Sequence, residues 1–249
     1  MSRAATLGFA ALAYAIFFAT FLYLIAFVGN LPFVPLTVDR GPEAPLLAAL
    51  AIDAALIAGF GLQHSVMARQ GFKSWWTRFV PRQAERSVYV LAASLMLILL
   101  FLFWRPIAGT VWRVEQPTAV LVLQGIFAAG WLLVLLSTFL INHFELFGLQ
   151  QAWFHASGRQ AAAPVFRQPF FYRLVRHPLY LGFFIAFWAT PVMSYGHLLL
   201  AAGLSVYMLV AIRYEERDLV GLFGRDYEDY RSRVGMITPR LRRRAATRG

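Results

Sequence analysis

Two short stretches hold the residues whose types and spacing invite chemistry: Arg176-His177-Pro178-Leu179-Tyr180-Leu181-Gly182 and Tyr214-Glu215-Glu216-Arg217-Asp218-Leu219. Pro178 suits the first turn of a helix, and the free amides of such a turn make a site for a carboxylate or a hydroxyl edge. Glu215 and Glu216 follow an apolar run and read as a like-charged pair near a helix C-terminus, where negative charge is unfavourable. Surface pairing with Arg213 and Arg217 would relieve them. A cationic ligand beside Glu216 would do the same.

Other polar groups stand where apolar runs meet water. Gln63-His64 lie near the end of one run, and Asn142-His143-Phe144-Glu145 close another. A histidine in such a place is a candidate proton acceptor near neutral pH. Asn142 and Glu145 lie near one another if the helix persists, because residues three apart are neighbours on a helix surface. Asp53 falls inside an apolar run, where a charge costs a few kcal/mol, and reads foremost as a packing residue hydrogen-bonded to a neighbouring helix. It shares a helix face with His64, about 16 Å away. No H-x-x-x-H or H-x-x-E-H spacing supports a metal site on His64, His143 and Glu145, and no metal is expected. Axial haem ligation by two histidines is an alternative, although no C-x-x-C-H attachment signal is present. His155 and His197 are assigned no role.

The elements that must position these groups are apolar. The chain has 249 residues, 59% hydrophobic and 14% charged, with a mean hydropathy of +0.60. Soluble domains carry about 25% charged residues, so an ordinary globular domain is excluded. With no cysteine, disulfides, thiolate nucleophiles and thiolate metal sites are excluded as well. The net charge of +11 comes from arginines between and after apolar runs, which reads as topogenic and lipid-facing charge rather than as a nucleic-acid surface.

Four runs long enough to cross a bilayer occupy residues 7–28, 46–67, 88–104 and 119–141. The first is longer than a signal-peptide core and is expected to be a retained helix. Two shorter apolar pieces, 179–193 and 196–212, form a tight helical hairpin packed against the other spans; the first reaches only about 22 Å as a helix. Arg69, Lys73, Arg78, Arg82 and Arg86 fill the second loop, and Arg159, Arg167, Arg173 and Arg176 the fourth. The first and third loops are nearly balanced, with Asp39, Arg40, Glu43, Arg105, Arg113 and Glu115. Even-numbered loops and both termini are therefore expected in the cytoplasm, the tail carrying Arg240, Arg242, Arg243, Arg244 and Arg248. On that topology His64, His143, His177, Glu215 and Glu216 share one depth.

The two opening stretches are followed by Gly224, Tyr227, Tyr230, Val234 and Pro239. In order, these reproduce R-H-P-x-Y-x-G, E-E-x-x-L and G-x-x-Y-x-x-Y-x-x-x-V. Residues 166–239 thereby resemble the catalytic end of the isoprenylcysteine carboxyl methyltransferase superfamily. Upstream, residues 61–69 (GLQHSVMAR), 142–149 (NHFELFGL), 188–193 (WATPVM) and 196–199 (GHLL) resemble the nurim-like branch, and within it the bacterial methanethiol S-methyltransferases.

The apolar runs give an all-α polytopic membrane bundle of five to six transmembrane segments. The resemblance implies a bacterial inner membrane protein whose C-terminal hairpin forms the cofactor site. It divides the chain into substrate-side helices (1–165), a cofactor-binding part (166–239) and a basic tail (240–249). The implied methyl donor is S-adenosylmethionine, whose carboxylate, ammonium, sulfonium and adenosine suit both ends of the hairpin. Arg176, His177, Pro178, Tyr180, Gly182, Tyr214, Glu215 and Glu216 would hold it. The implied acceptor is a small thiol, methanethiol, giving dimethyl sulfide. Either His64 or His143 would take the thiol proton, with Glu145 orienting the imidazole and Asn142 in the same cluster. A prenylcysteine carboxyl or a lipid amine as acceptor, and a non-catalytic membrane protein, are the alternatives.

Overall fold

The computed structural model describes residues 2–160 and 165–240; Arg242, Arg243, Arg244 and Arg248 of the basic tail lie outside them. The described chain is a bundle of helices: α1 (Arg3–Val28), α2 (Leu46–Ala68), α3 (Gln70–Trp76), α4 (Arg82–Phe103), α5 (Pro117–Ile141), α6 (His143–Leu146), α7 (Leu149–Ser157), α8 (Pro178–Trp188), α9 (Tyr195–Phe223) and α10 (Arg225–Arg233). Strands β1 (Thr110–Arg113) and β2 (Val192–Ser194) pair antiparallel at one end. Five helices, α1, α2, α4, α5 and α9, are long and apolar enough to cross a membrane. With 22 residues in the shortest, each exceeds the ~30 Å hydrocarbon thickness. Their outward faces carry Leu12, Leu47, Leu62, Leu121, Leu132 and Val206 exposed, as lipid contact requires. The protein is an integral membrane helical bundle.

The inward faces meet in one core, with Phe27, Leu100, Trp131, Leu200 and Met208 contributed by α1, α4, α5 and α9, and with Trp104 from the residue that ends α4. Helix α1 stops in a left-handed turn: Asn30 has φ 52°, and the Leu31 amide returns to the Ala26 carbonyl. Asp53 is fully buried on α2, and its Oδ1 accepts from the Arg105 amide at 2.9 Å, securing the chain where it leaves α4. The packing reading of this residue is the one the geometry supports.

The hairpin departs from its expected form. Helix α8 ends at Trp188, and residues 192–193, read as the end of an apolar helix, belong with Ser194 to strand β2. Pro191 follows too closely for the helix to persist. At eleven residues, about 16 Å, α8 does not span. Its main partner is α5 rather than α9. A Cβ on Gly182 would stand 2.7 Å from the Gly130 carbonyl oxygen, and one on Gly130 would stand 2.8 Å from the Ala186 amide. This small-residue contact lets the two backbones touch where lipid gives no hydrophobic drive between helices.

Two further boundaries moved. Helix α4 begins at Arg82, so Arg82 and Arg86, read as loop residues, stand on its first turns. Helix α9 runs to Phe223, so Glu215 and Glu216 do not sit at a helix C-terminus, and the macrodipole argument does not apply to them. Something else must hold the pair.

Candidate functional site

At the end of the bundle away from the small sheet, the connection into α8 meets the polar continuation of α9. The Arg176 and His177 amides donate to the carbonyls of Gly235 (2.8 Å) and Met236 (3.0 Å), so the segment after α10 clamps the start of α8. This fixes the Arg176 side chain, whose Nη1 donates to the carbonyls of Arg231 and Val234 and whose Nε donates to Glu216 Oε1 at 2.7 Å. His177 Nε2 meets the same oxygen at 3.0 Å. The side chains of Arg176, His177 and Glu216 are 8%, 3% and 13% exposed, so this is a buried ion pair with its hydrogen bonds made. Glu216 is therefore neutralised from within the fold, which replaces the expected pairing with Arg213 and Arg217.

Glu215 differs. Its side chain is 44% exposed, with Tyr180 donating to one oxygen at 3.0 Å and His177 Nδ1 at 4.0 Å from the other. One carboxylate of the pair is bound into the fold and its neighbour faces outward. Nearby, the Tyr227 hydroxyl is buried without a hydrogen-bond partner among the described residues, and burial raises its pKa, so it stays a neutral donor. His177 is the N-cap of α8 and makes no side-chain cap, leaving first-turn amides open behind Pro178. A carboxylate, a lone donor and an uncapped helix start are groups that S-adenosylmethionine fits, through its ammonium or sulfonium, its polar edges and its carboxylate. Tyr214 points elsewhere: Arg69 and Arg217 lie over its ring at 4.9 and 5.6 Å. Gly182 faces α5, as described above.

From Tyr180 an aromatic wall leads inward. Tyr180, Tyr207 of α9 and Tyr89 of α4 lie within electrostatic reach of one another and of Glu215. His64 stands against this wall, its ring 4.9 Å from Tyr89, 5.3 Å from Phe60 and 6.3 Å from Tyr207. Its Nδ1 is buried with no hydrogen-bond partner among the described residues.

His143 belongs to a separate cluster between α1 and α5. Thr138 uses its one hydroxyl proton on the Leu135 carbonyl (2.7 Å), so His143 Nδ1 must donate to Thr138 Oγ1 (2.8 Å). Nε2 then accepts from the Tyr14 hydroxyl at 2.8 Å. The ring stacks on Phe139 at 4.2 Å, and burial lowers its pKa, keeping it neutral. Asn142 breaks the helix in extended backbone and caps α6, accepting from the Glu145 amide (3.3 Å) while donating to Glu145 Oε2 (2.9 Å). The two residues meet as expected, but through a cap rather than a continuous helix. Both ring nitrogens of His143 are taken by Thr138 and Tyr14, and Glu145 is turned to Asn142.

A cleft of about 990 Å³ lies at the opposite end, lined by Arg40, Glu43, Arg113 and Ser194, and a groove of about 400 Å³ beside α6 is lined by Leu7, Asn142, Phe144 and Trp153. Tyr89, Tyr207, Tyr227 and Arg86 had no place in the sequence reading of the site. Tyr227 was visible there only as a motif position, and Tyr89 and Tyr207 look like ordinary aromatics in apolar helices.

Known proteins match nearly the whole chain. Methanethiol S-methyltransferase 1 of Bradyrhizobium diazoefficiens is 53% identical over 227 residues, 91% of this chain and 79% of that protein. The methanethiol S-methyltransferase of Mycobacterium tuberculosis is 49% identical over 239 residues, 96% of this chain and 98% of that one. Human nurim is 31% identical over 189 residues, 71% of this chain and 70% of nurim. No protein-family model and no solved structure matches. The chain belongs to the methanethiol S-methyltransferase family, with nurim as a more distant homologue.

Proposed function

We propose that the chain is a membrane methyltransferase that moves the methyl group of S-adenosylmethionine to methanethiol, forming dimethyl sulfide on the cytoplasmic side of the membrane. The observation that carries the reading is the pairing of Glu215 and Glu216: Arg176 and His177 neutralise one carboxylate and leave the other open beside an uncapped helix start. Relatives named for this activity cover almost the entire chain. When bound, S-adenosylmethionine supplies the methyl group, its carbon–sulfur bond breaking as the acceptor sulfur forms the new one.

The protein's own work is alignment and proton removal. Glu215 attracts the cationic part of the donor, and Tyr180 fixes the carboxylate that does so. Arg176, His177 and Glu216 hold that edge rigid by joining α8 to α9. A simple thiol, with a pKa near or above ~8.5, is mostly protonated at neutral pH and reacts as its thiolate. His64 is the acceptor for that proton, because its Nδ1 is free while both nitrogens of His143 are engaged. The phenol and phenyl rings around His64 suit a small apolar acceptor that arrives from lipid without charged recognition.

Purified protein incubated with S-adenosylmethionine and methanethiol should release dimethyl sulfide into the headspace. Folded protein that makes none overturns the reading. A farnesylcysteine analogue methylated faster than methanethiol assigns the acceptor to the prenylcysteine class instead.

A further inference from the structure

Arg86 is the cation set against the Tyr89 side of the His64 wall, with Arg69 on the Tyr207 side and Glu215 the carboxylate that faces it. Its guanidinium carbon lies 5.0 Å from the Tyr89 ring centroid, and that ring is 4.9 Å from the imidazole of His64. Its Nε donates to the Leu146 carbonyl at 2.6 Å, which holds the side chain against the elbow between α6 and α7. Among the described residues it forms no ion pair, although it is only partly exposed. A half-buried guanidinium bound to a neutral carbonyl has no carboxylate in contact to offset its charge among the described residues.

The other charged and titratable groups around it are Lys73 of α3, Glu85 beside it on α4, His64 of α2 and, beyond Tyr89, Glu215 of α9. Burial lowers the pKa of Lys73, so its ammonium is a less dependable charge, whereas an arginine stays cationic at every working pH. Glu85 and Glu215 would oppose a second negative charge near His64. Arg86 is what makes such a charge tolerable.

We infer that Arg86 supplies the positive charge against which the acceptor thiol ionises next to His64. This rests on the methyltransferase reading above. The step balances simply: the thiol S–H bond breaks, the proton passes to His64, and the electron pair stays on sulfur. In a wall poor in water, a cation within one aromatic ring of the sulfur lowers the free energy of the thiolate far more than it would in bulk solvent. Arg86 does not contact the Arg176–Glu216 pair, so its effect falls on the acceptor and not on the methyl donor.

The test is the pH dependence of methyl transfer in Arg86→Met and Arg86→Lys. In Arg86→Met the acidic limb of kcat at saturating methanethiol, which reports the bound thiol rather than the free enzyme, should move to higher pH by about one unit or more, the usual effect of an adjacent opposite charge. At neutral pH kcat should fall about tenfold or more, with the KM for S-adenosylmethionine unchanged. Arg86→Lys keeps the charge but not the Nε bond to the Leu146 carbonyl, and its limb should stay with the wild type. Methaneselenol, ionised at lower pH than the thiol, should be methylated by Arg86→Met with little loss. If Arg86→Met does not fold, Arg86→Gln is judged by the same criteria. An unmoved limb, an equal shift in the lysine variant, or equal loss with the selenol overturns the inference. A wild type that makes no dimethyl sulfide counts instead against the methyltransferase reading itself.

Discussion

His64 and His143 look alike in the chain, each at the end of an apolar helix and at the same end of the bundle, yet the fold uses them differently. His143 has both ring nitrogens hydrogen-bonded, to Tyr14 and Thr138, and a phenyl ring stacked on its face. His64 is held by ring contacts alone and keeps a buried nitrogen without a partner. A satisfied histidine is a structural joint, whereas an unsatisfied one beside a ligand site has a lone pair or proton to offer. The acidic pair repeats the lesson, with Glu216 saturated by Arg176 and His177 and Glu215 left outward.

The largest expected effect tests the free histidine. His64→Gln should lower kcat for methyl transfer by about 100-fold or more, as loss of a general base does. S-adenosylmethionine affinity, read by calorimetry, should change little. Equal loss of affinity would move His64 into the donor site and erase the contrast.

His143→Ala should act on stability instead. It strands the Tyr14 hydroxyl and opens a void beside Phe139, at a cost of about 1–3 kcal/mol. The thermal midpoint in detergent should fall by several degrees, while activity per folded molecule stays within a few-fold of wild type. A folded variant with activity as low as that of His64→Gln would make the two histidines partners. The smallest effect is expected at the surface pair of Arg69 and Asp218, where the side chains are 33% and 53% exposed. Asp218→Asn should change stability by ~0–1 kcal/mol, and the thermal midpoint would show whether the end of α2 needs that tie to α9.

Much of this was legible along the chain. The apolar runs required a membrane bundle, and the arginine-rich loops put the candidate residues His64, His143, His177, Glu215 and Glu216 at one end of it. The Arg176 and Glu215 stretches met as their motifs implied, because α8 and α9 are joined by a short connection that returns the chain on itself. The helix ends were less legible. Arg86 read as loop because charge near an apolar run looks like an interface, although α4 had already begun at Arg82. Glu215 read as a helix terminus because hydropathy falls there, yet backbone hydrogen bonding carries α9 on to Phe223.

By itself the sequence determined that the chain lies in a membrane, which family it resembles and which residues are chemically able. Those properties follow from residue type and local spacing, and a helix satisfies its own backbone wherever the apolar run is long enough. Only the tertiary structure decided which of those residues are already occupied. Thr138 spends its proton on Leu135, Asn142 turns Glu145 away from His143, and Gly182 presses against Gly130. Each is a contact made across a turn or between helices, and a hydrogen bond or a lone pair committed there is no longer available for chemistry.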